Sequence, residues 1–378
     1  MKPNLADSPA AWRTEDLQAD QAWTVHLDDN ARRDLLGTLR KAHQAEKKLF
    51  DYRRGDFDFG SAWPVISRAL EDVKRGRGVV LIRGLPRDGL DEKDFELLTW
   101  AIGLYVGVAR PQGKATQYIS GVRDAGTTYR SGKGRGYSSK AELDYHTDTA
   151  DIVFLSCYNR ASSGGMTIVT SALAGYQVMC AEHPELAEWL HHPVAFSRQG
   201  EQASDEGPYV VQPIFEVADG KLFCRWNWNR VNSAQEIPGS PGLSGKHREA
   251  LDRFDEIVRR PDLAYSMWLQ PGDVQIVNSH VTLHSRTEFM DYDEPARKRL
   301  LYRLWLAPPD SERLPESWRD LYREIEPGTV RGGIRGHSYD DERRRFEECQ
   351  ARDLGMKMPA VARNQAGGTA MPHASDAK

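Results

Sequence analysis

The sequence predicts an α+β fold in which a jelly-roll core of two β-sheets, a double-stranded β-helix, is flanked by helices. Three observations support this prediction: helical patterns among the first 104 residues, short strand-like segments up to residue 306, and turn signals between those segments. Strands bounded by turns and accompanied by grouped helices are typical of α+β folds that are built on a double sheet.

Helices are predicted mainly in the N-terminal part of the chain. Residues 29–49 carry apolar side chains at helical spacing, and residues 63–74 and 91–104 are predicted as two further helices. Residues 78–86 form an apolar run that is closed by a Gly–Pro turn, which indicates a buried strand between the last two helices.

Strand-like segments dominate the middle and C-terminal parts of the chain. Helices are predicted to interrupt them at residues 173–182 and 247–259. The predicted strands are residues 152–157, 166–170, 209–215, 222–228, 265–269, 273–277 and 299–306.

A single domain is predicted over residues 16–355, with its helical part at the N-terminal side. The stretch 126–140 contains four glycines and several polar residues, and loops of this length in compact domains are often lids. Residues 1–15 and 356–378 are poor in large apolar side chains, which predicts a flexible N-terminus and a disordered tail.

The composition argues against several classes of partner. A net charge of −4 gives no broad cationic surface, so nucleic acid is not an expected partner. The longest apolar runs are strand-sized, and no membrane span is expected. The polar N-terminus and four widely separated cysteines predict a cytoplasmic protein with free thiols. A small-molecule substrate is the expected partner, and the sequence is compatible with a homo-oligomer.

The sharpest local signal is a His-x-Asp motif. In an extended chain, residues two apart project to the same side, so His146 and Asp148 can aim at one point. An imidazole nitrogen and a carboxylate oxygen are two of the three ligands in the facial triad of non-haem iron(II) oxygenases. Taken alone, the motif is common by chance, and a surface turn in which Asp148 accepts a hydrogen bond is then the favoured explanation.

Residues 271–286 offer a third ligand after most of the strand-rich core. His280 and His284 both lie in this segment, and residues four apart share a face of an extended chain, so spacing does not choose between them. Three protein ligands would leave three octahedral positions for a cosubstrate and O₂, which a closed structural site would not.

Two arginines share one face of the predicted strand 299–306. Arg299 and Arg303 alternate there with Leu301 and Trp305. Cations on the inner face of an apolar strand are costly unless they meet anions, and guanidinium binds carboxylate in a bidentate fork. A dicarboxylate would be a suitable partner. The alternative is an edge strand whose arginines reach solvent or pair with acidic residues.

These three segments together resemble the taurine dioxygenase family and its clavaminate-synthase-like relatives, over residues 76–316. The resemblance implies an enzyme that depends on Fe(II), 2-oxoglutarate and O₂. It implies that His146, Asp148 and His284 bind the iron, which leaves His280 as a hydrogen-bonded loop or core residue.

The resemblance also implies the cosubstrate contacts. Arg299 would pair with the C5 carboxylate of 2-oxoglutarate and Arg303 would lie near its C1 carboxylate. Thr167, which follows a Gly-Gly-Met sequence, would bind the cosubstrate through its hydroxyl. No catalytic residue is predicted beyond the metal centre.

The implied reaction is hydroxylation of an unactivated C–H bond of a small polar metabolite, with release of succinate and CO₂. The related halogenases lack the carboxylate ligand, so Asp148 favours hydroxylation. Desaturation or ring formation with the same cofactors are alternatives. A further alternative is a metal-dependent hydrolase or isomerase on a cupin-like barrel, which would not need Arg299 and Arg303. The last alternative is a binding module without enzymatic activity.

Four residues are candidates for substrate contact. If residues 223–230 are extended, Trp228 and Arg230 would share one face and line the pocket, or form part of the core. Arg286 would face the substrate or hold the metal ligands in place. Asp144 lies two residues before His146, so in an extended chain both side chains project to the same side. It would contact a cationic group there or cap the lid.

Overall fold

The computed structural model describes residues 8–127, 129 and 136–359, so parts of the predicted termini and lid lie outside the described residues. The helices are α1 (Thr14–Ala19), α2 (Asp29–Ala42), α3 (Ala62–Arg75), α4 (Glu92–Val106), α5 (Ala172–Glu182), α6 (Pro184–Ala187), α7 (Trp228–Ala234), α8 (Gly245–Val258), α9 (Arg319–Tyr322) and α10 (Asp341–Asp353). The strands are β1 (Thr24–His26), β2 (Val79–Arg83), β3 (Val108–Arg110), β4 (Ile119–Val122), β5 (Leu143–His146), β6 (Ile152–Asn159), β7 (Ser163–Gly164), β8 (Thr167–Ser171), β9 (Val194–Ser197), β10 (Tyr209–Gln212), β11 (Phe215–Ala218), β12 (Lys221–Cys224), β13 (Ala264–Met267), β14 (Val274–Asn278), β15 (Thr282–Arg286), β16 (Phe289–Met290) and β17 (Leu300–Ala307).

Two sheets form the core of the molecule. The larger sheet has the strand order β1-β2-β14-β6-β17-β3, and β4 pairs with β17 beside this path. The β1–β2 pair is parallel, whereas the other pairs of this sheet are antiparallel. The smaller sheet has the antiparallel order β13-β8-β15-β5. The two sheets are not closed into a barrel.

The two sheets face each other, and their strands alternate as a pleated strand requires. On β6, Val153 joins an apolar cluster that also contains Val169 of β8 and Met267 of β13. Its neighbour Phe154 points the other way, into the cluster that the N-terminal helices cover. Consecutive side chains of one strand therefore fill two different layers of the core.

Helices cover the outer face of each sheet. The apolar sides of α3 and α4 pack on the larger sheet with α2 against them, and α5 and α8 pack behind the smaller sheet. The predicted α+β class, a jelly-roll-like double sheet flanked by helices, is thereby confirmed. Among the described residues, no helix is both long and apolar enough to cross a membrane.

Two predicted strands differ from the observed elements. The predicted strand 222–228 ends at Cys224, because the side chain of Asn227 accepts a hydrogen bond from the backbone N–H of Arg230 and caps a helix that begins at Trp228. The predicted strand 209–215 is divided into β10 and the start of β11, which pair with different strands.

Both predicted flexible ends are partly ordered. Trp12 is 3% exposed and its Nε1 donates to the carbonyl of Arg77 at 2.8 Å, so part of the predicted flexible segment 1–15 packs against the domain. The ring of Trp12 supplies a large apolar contact, although the segment as a whole is poor in large apolar residues. At the other end Met356 is buried and Lys357 forms a β-bridge, past the predicted start of the tail.

The link from α4 to β3 depends on a glycine, which gives a test of the fold. A β-carbon on Gly107 would lie 2.5 Å from the carbonyl oxygen of Ala307 at the end of β17. We expect Gly107→Ala to lower the free energy of unfolding by about 1–3 kcal/mol, because backbone must move to admit the methyl group. Urea unfolding measures the change.

Gly37→Ala is the matched control, since a β-carbon at this exposed position of α2 meets nothing within 4 Å. It is expected to raise the free energy of unfolding by up to about 1 kcal/mol, the difference in helix propensity. Equal unfolding midpoints for the two variants would contradict the close approach of α4 and β17.

Candidate metal centre

Three predicted ligands meet at one point beside the smaller sheet. His146 ends β5, Asp148 follows it by two residues, and His284 lies on the neighbouring strand β15, directly opposite His146 in the register. One ligand atom of each residue lies within 4.8 Å of the others. The strand pairing therefore brings together residues that are 138 positions apart in the sequence.

The distances between these atoms suit a shared metal ion. Nε2 of His146 lies 3.9 Å from Oδ1 of Asp148, and Nε2 of His284 lies 3.6 Å from Oδ2 of the same carboxylate. Two ligand atoms that each lie about 2.1 Å from one ion are separated by at most about 4.2 Å. Two imidazoles and one carboxylate are also the donor set of the facial triad.

The protonation states are those that metal binding requires. Burial, followed by the nearby His146, lowers the pKa of His284 to about 3, and burial also lowers the pKa of His146. For Asp148, burial alone would raise the pKa, but the guanidinium of Arg303 and the two imidazoles lower it to about 2. Near neutral pH the two rings are neutral and the carboxylate is ionised.

Neighbouring groups fix the orientation of the ligands. Nδ1 of His146 donates to the carbonyl of Asp144 at 2.8 Å, which leaves Nε2 as the acceptor that faces Asp148. Nε1 of Trp305 donates to Oδ2 of Asp148 at 2.9 Å. The backbone N–H of Asp148 donates to Oγ of Ser279 at 2.7 Å.

His280, the competing candidate for the third ligand, lies in a separate cluster. Its Nε2 lies 2.9 Å from Oδ1 of Asp151, and that carboxylate also pairs with Arg331 at 2.5 Å. All three residues are buried. The structure thus separates two histidines that spacing alone could not distinguish, and it places His284 in the metal-ligand cluster.

A cavity of about 120 Å³ adjoins the three ligands. Five guanidinium groups line it, and they come from β15, from β17 and the residue before it, from the β12–α7 connection and from the first turn of α7. The arginines that line it are Arg225, Arg230, Arg286, Arg299 and Arg303. The lining also includes Tyr129 and Gly136 from the predicted lid; residues 128 and 130–135 of that lid lie outside the described residues.

The predicted cosubstrate residues line this cavity. Arg299 is 5% exposed, and its Nη1 lies 3.3 Å from the carbonyl of Val122, with no carboxylate partner among the described residues. Burial lowers its pKa to about 10. A β-carbon on Gly165 would lie 3.4 Å from Nε of Arg299, so the turn before Thr167 approaches this guanidinium closely.

Two further contacts connect the predicted cosubstrate residues to the core. Oγ1 of Thr167 donates to Oε1 of Gln275 at 2.7 Å, while Nε2 of Gln275 is buried without a hydrogen-bond partner in the described part of the chain. Nε of Arg303 donates to Oε1 of Gln112, and its Nη1 lies 3.7 Å from Oδ1 of Asp148.

Two of the four predicted substrate residues, Arg230 and Arg286, line the cavity, whereas Asp144 and Trp228 do not. The β5–β15 register shifts after His284, so that Leu143 rather than Asp144 lies opposite Arg286. This bulge invalidates the simple alternation on which the Asp144 prediction relied.

The two excluded residues have other contacts. Asp144 lies 3.4 Å from Arg259 and accepts from the hydroxyl of Tyr129 at 3.2 Å. Trp228, in the first turn of α7, stacks on Trp226 with ring centroids 6.2 Å apart. Neither residue therefore lines the cavity, and the contact of Asp144 with Tyr129 corresponds to the alternative in which Asp144 caps the lid.

Three residues of the site have contacts that the sequence does not predict. Trp305 lies on the face that it shares with the two arginines, as the alternation of the predicted strand indicates, but its hydrogen bond to Asp148 was not expected. Gln275 and Arg225 carried no signal of their positions. Arg225 follows β12 in an irregular connection, where alternation no longer predicts the direction of a side chain.

Comparisons with known proteins agree with this geometry. Residues 40–305 match the family model for the taurine catabolism dioxygenase TauD, TfdA family. The chain is 29% identical over 313 residues to FR-33289 synthase of Streptomyces rubellomurinus (strain ATCC 31215), covering 82% of this chain and 92% of that protein. It is 25% identical over 179 residues to a uridine-5'-phosphate dioxygenase of a Streptomyces species, covering 46% of this chain and 62% of that protein.

Solved structures with the same fold include two oxygenases. Asparagine oxygenase in complex with Fe(II), 2S,3S-3-hydroxyasparagine and succinate superposes with a TM-score of 0.58 at 20% identity, covering 75% of this chain and 93% of that one. The non-heme iron oxygenase OrfP in complex with Fe, succinate and (3S)-hydroxy-L-Arg gives a TM-score of 0.54 at 12% identity, covering 75% of this chain and 94% of that one. Because the family model spans most of the chain, the protein belongs to the TauD/TfdA family of dioxygenases.

Proposed function

We propose that this protein is a Fe(II)- and 2-oxoglutarate-dependent dioxygenase that hydroxylates an unactivated C–H bond of a small polar metabolite, releasing succinate and CO₂. The observation that carries the proposal is the meeting of His146, Asp148 and His284 beside a cavity that also contains the buried guanidinium of Arg299. A metal-ligand set and a carboxylate-binding cation in one cavity are what this chemistry requires.

The three ligands would hold iron by one face and leave its other positions directed at the cavity. When bound, iron supplies the oxidising chemistry together with 2-oxoglutarate and O₂. Trp305 would keep the carboxylate of Asp148 in place, and Ser279 would fix the backbone that carries it, while the other positions exchange their occupants.

Arg299 and Thr167 would bind the distal carboxylate of 2-oxoglutarate. The guanidinium has no carboxylate partner among the described residues, and the hydroxyl of Thr167 can turn from Gln275 to an incoming carboxylate oxygen. Arg303, which lies between Asp148 and Gln112, would orient the end of the cosubstrate nearer the metal.

Apolar side chains of the same cavity would exclude water from the reacting atoms. Water exclusion strengthens the polar contacts with the cosubstrate and protects reactive species from side reactions. The apolar lining consists of Val122, Leu143, Leu155, Leu301, Trp305 and Ile334.

Hydroxylation is favoured over the alternatives. The complexes of asparagine oxygenase and OrfP contain hydroxylated amino acids, which supports hydroxylation as the outcome in this family. A hydrolase or isomerase would have no use for the unneutralised Arg299. Cytoplasmic location and homo-oligomerisation stay predictions from the sequence.

The proposed function is tested directly by cosubstrate turnover. With Fe(II), O₂ and candidate metabolites, we expect conversion of 2-oxoglutarate to succinate, measured by liquid chromatography, and no conversion when Zn²⁺ replaces Fe(II) or O₂ is removed. Turnover of a metabolite with Zn²⁺ and without O₂ would instead support the hydrolase or isomerase.

The iron ligands are tested by Asp148→Asn, which preserves shape but removes the charge that balances the metal. We expect the variant to bind less than one iron per chain, since one ligand of three is weakened. The rate of succinate formation should fall by at least about 10²-fold. Iron content by atomic absorption is the second measurement, because loss of activity alone does not show that the metal has been lost.

His280→Gln is the control for the ligand assignment, because His280 lies in the Asp151 cluster. It is expected to lower stability through the lost contact but to retain one iron per chain. Retention of iron by Asp148→Asn together with its loss in His280→Gln would show that the ligands have been assigned wrongly.

The cosubstrate site is tested by Arg299→Gln. Loss of a charge-assisted pair of about 1.5–3 kcal/mol should weaken 2-oxoglutarate binding by roughly 10- to 100-fold. Arg297→Gln is the matched control, since Arg297 is exposed and stacks on Tyr292. Isothermal titration calorimetry of the iron-loaded protein without O₂ measures both; equal affinities would refute the assignment of Arg299.

A further inference from the structure

Apart from Arg303, which lies beside Asp148, the guanidinium groups that line the cavity fall into two sets according to their contacts. Arg286 and Arg299 lie against one aromatic ring, 4.7 and 5.0 Å from the centroid of Phe289. Arg299 is the residue to which the proposed function assigns the distal carboxylate of 2-oxoglutarate. This pair therefore belongs to the cosubstrate side of the cavity.

Arg225 and Arg230 form the second set, which the proposed function leaves unused. They come from the β12–α7 connection and the first turn of α7. Both lie near the end of β9, where Nη1 of Arg230 donates to the carbonyl of Ser197 at 2.9 Å and the guanidinium of Arg225 lies 6.0 Å from the ring of Phe196.

Arg225 carries a buried charge that no carboxylate neutralises in the described part of the chain. It is 2% exposed, and its hydrogen bonds go to neutral oxygens: the carbonyl and Oγ1 of Thr147, at 2.6 and 2.7 Å, and Oγ1 of Thr149 at 3.0 Å. Its Nε is buried without a hydrogen-bond partner among the described residues. Thr147 lies between two metal ligands, so this charge is held beside the metal centre.

A count of charges shows an excess of positive charge in the cavity. Five guanidinium groups line it, and two carboxylates compensate them: Asp148, 3.7 Å from Arg303, and Glu201, 2.9 Å from Arg230. Ferrous iron and the 2-oxoglutarate dianion would cancel each other. About three positive charges then remain in a desolvated site, where uncompensated charge is costly.

The carboxylates of the cavity also restrict the class of substrate. Among the described residues that line it, Asp148 carries the only carboxylate, and the proposed function assigns it to the metal. The ammonium group of a zwitterionic amino acid would find no free anionic partner there. An excess of guanidinium groups instead suits an oxyanion, which their planar donors bind in a fork.

We propose that Arg225 and Arg230 form a subsite for a doubly charged oxyanion of the substrate, such as a phosphate monoester, separate from the cosubstrate carboxylate site. The inference rests on the proposed function, since that function assigns the other pair to 2-oxoglutarate. The oxyanion would lie against the guanidinium groups of Arg225 and Arg230 that line the cavity and would reduce the excess charge beside the metal. The C–H bond to be oxidised would then belong to the part of the substrate nearer the iron.

The test uses the iron-loaded, full-length protein without O₂, first titrated to saturation with 2-oxoglutarate and then with methyl phosphate or methyl sulfate. These two probes have the same shape, but methyl phosphate is mostly a dianion at pH 8 because its second pKa is about 6. Calorimetry is expected to show methyl phosphate binding at least about tenfold more tightly than methyl sulfate.

Variants assign that binding to residues. Arg225→Gln should weaken methyl phosphate binding by roughly 10- to 100-fold. The double variant Arg230→Gln with Glu201→Gln removes a charge pair without changing net charge, and tests the subsite even if Arg225→Gln does not fold. It should weaken binding by at least about threefold. Arg160→Gln, at an exposed position outside the cavity, should leave it unchanged.

The outcomes separate this inference from the proposed function. Failure of the iron-loaded wild type to bind 2-oxoglutarate in the first titration would overturn the proposed function. Normal 2-oxoglutarate binding, with methyl phosphate no tighter than methyl sulfate, would overturn the subsite. The subsite would also be overturned if the Arg225 variant bound methyl phosphate with unchanged affinity. If that variant does not fold, unchanged affinity in the double variant would overturn it.

Discussion

The buried negative charge of Asp148 is the constraint on which the rest of the site depends. A carboxylate that is removed from water is costly unless opposite charge and hydrogen bonds compensate it. Here the guanidinium of Arg303, the indole N–H of Trp305 and two imidazoles surround it. These groups keep the carboxylate ionised and fix its direction, so it can serve as a metal ligand without first being rearranged.

This arrangement needs both sheets of the core. The two histidines lie on adjacent strands of the smaller sheet, whereas Arg303 and Trp305 extend from β17 of the larger one. The cavity beside the metal ligands is lined by side chains from both sheets, and the helices cover the outer faces. Any change that alters the distance between the sheets would therefore change the ligand geometry and the cosubstrate site together.

Regular strands made part of the site predictable. Period-two alternation along β17 placed Arg299 and Arg303 on one face, and the structure directs both into the cavity. Predictions from this alternation failed where the backbone is not a regular strand. A bulge between β5 and β15 turned Asp144 away, and the Asn227 cap converted a predicted strand into the helix that carries Trp228. Arg225 lies in the same irregular connection, so no sequence period indicated its role.

The central claim is that two imidazoles and one carboxylate hold a single metal ion beside an arginine-lined cavity. A crystal structure of the protein grown anaerobically with Fe(II), with data collected at the iron absorption edge, tests it most directly. One anomalous peak is expected within ligand distance of His146, Asp148 and His284, with the remaining positions open to the cavity. Iron bound elsewhere, or enclosed by four or more protein ligands, would contradict it.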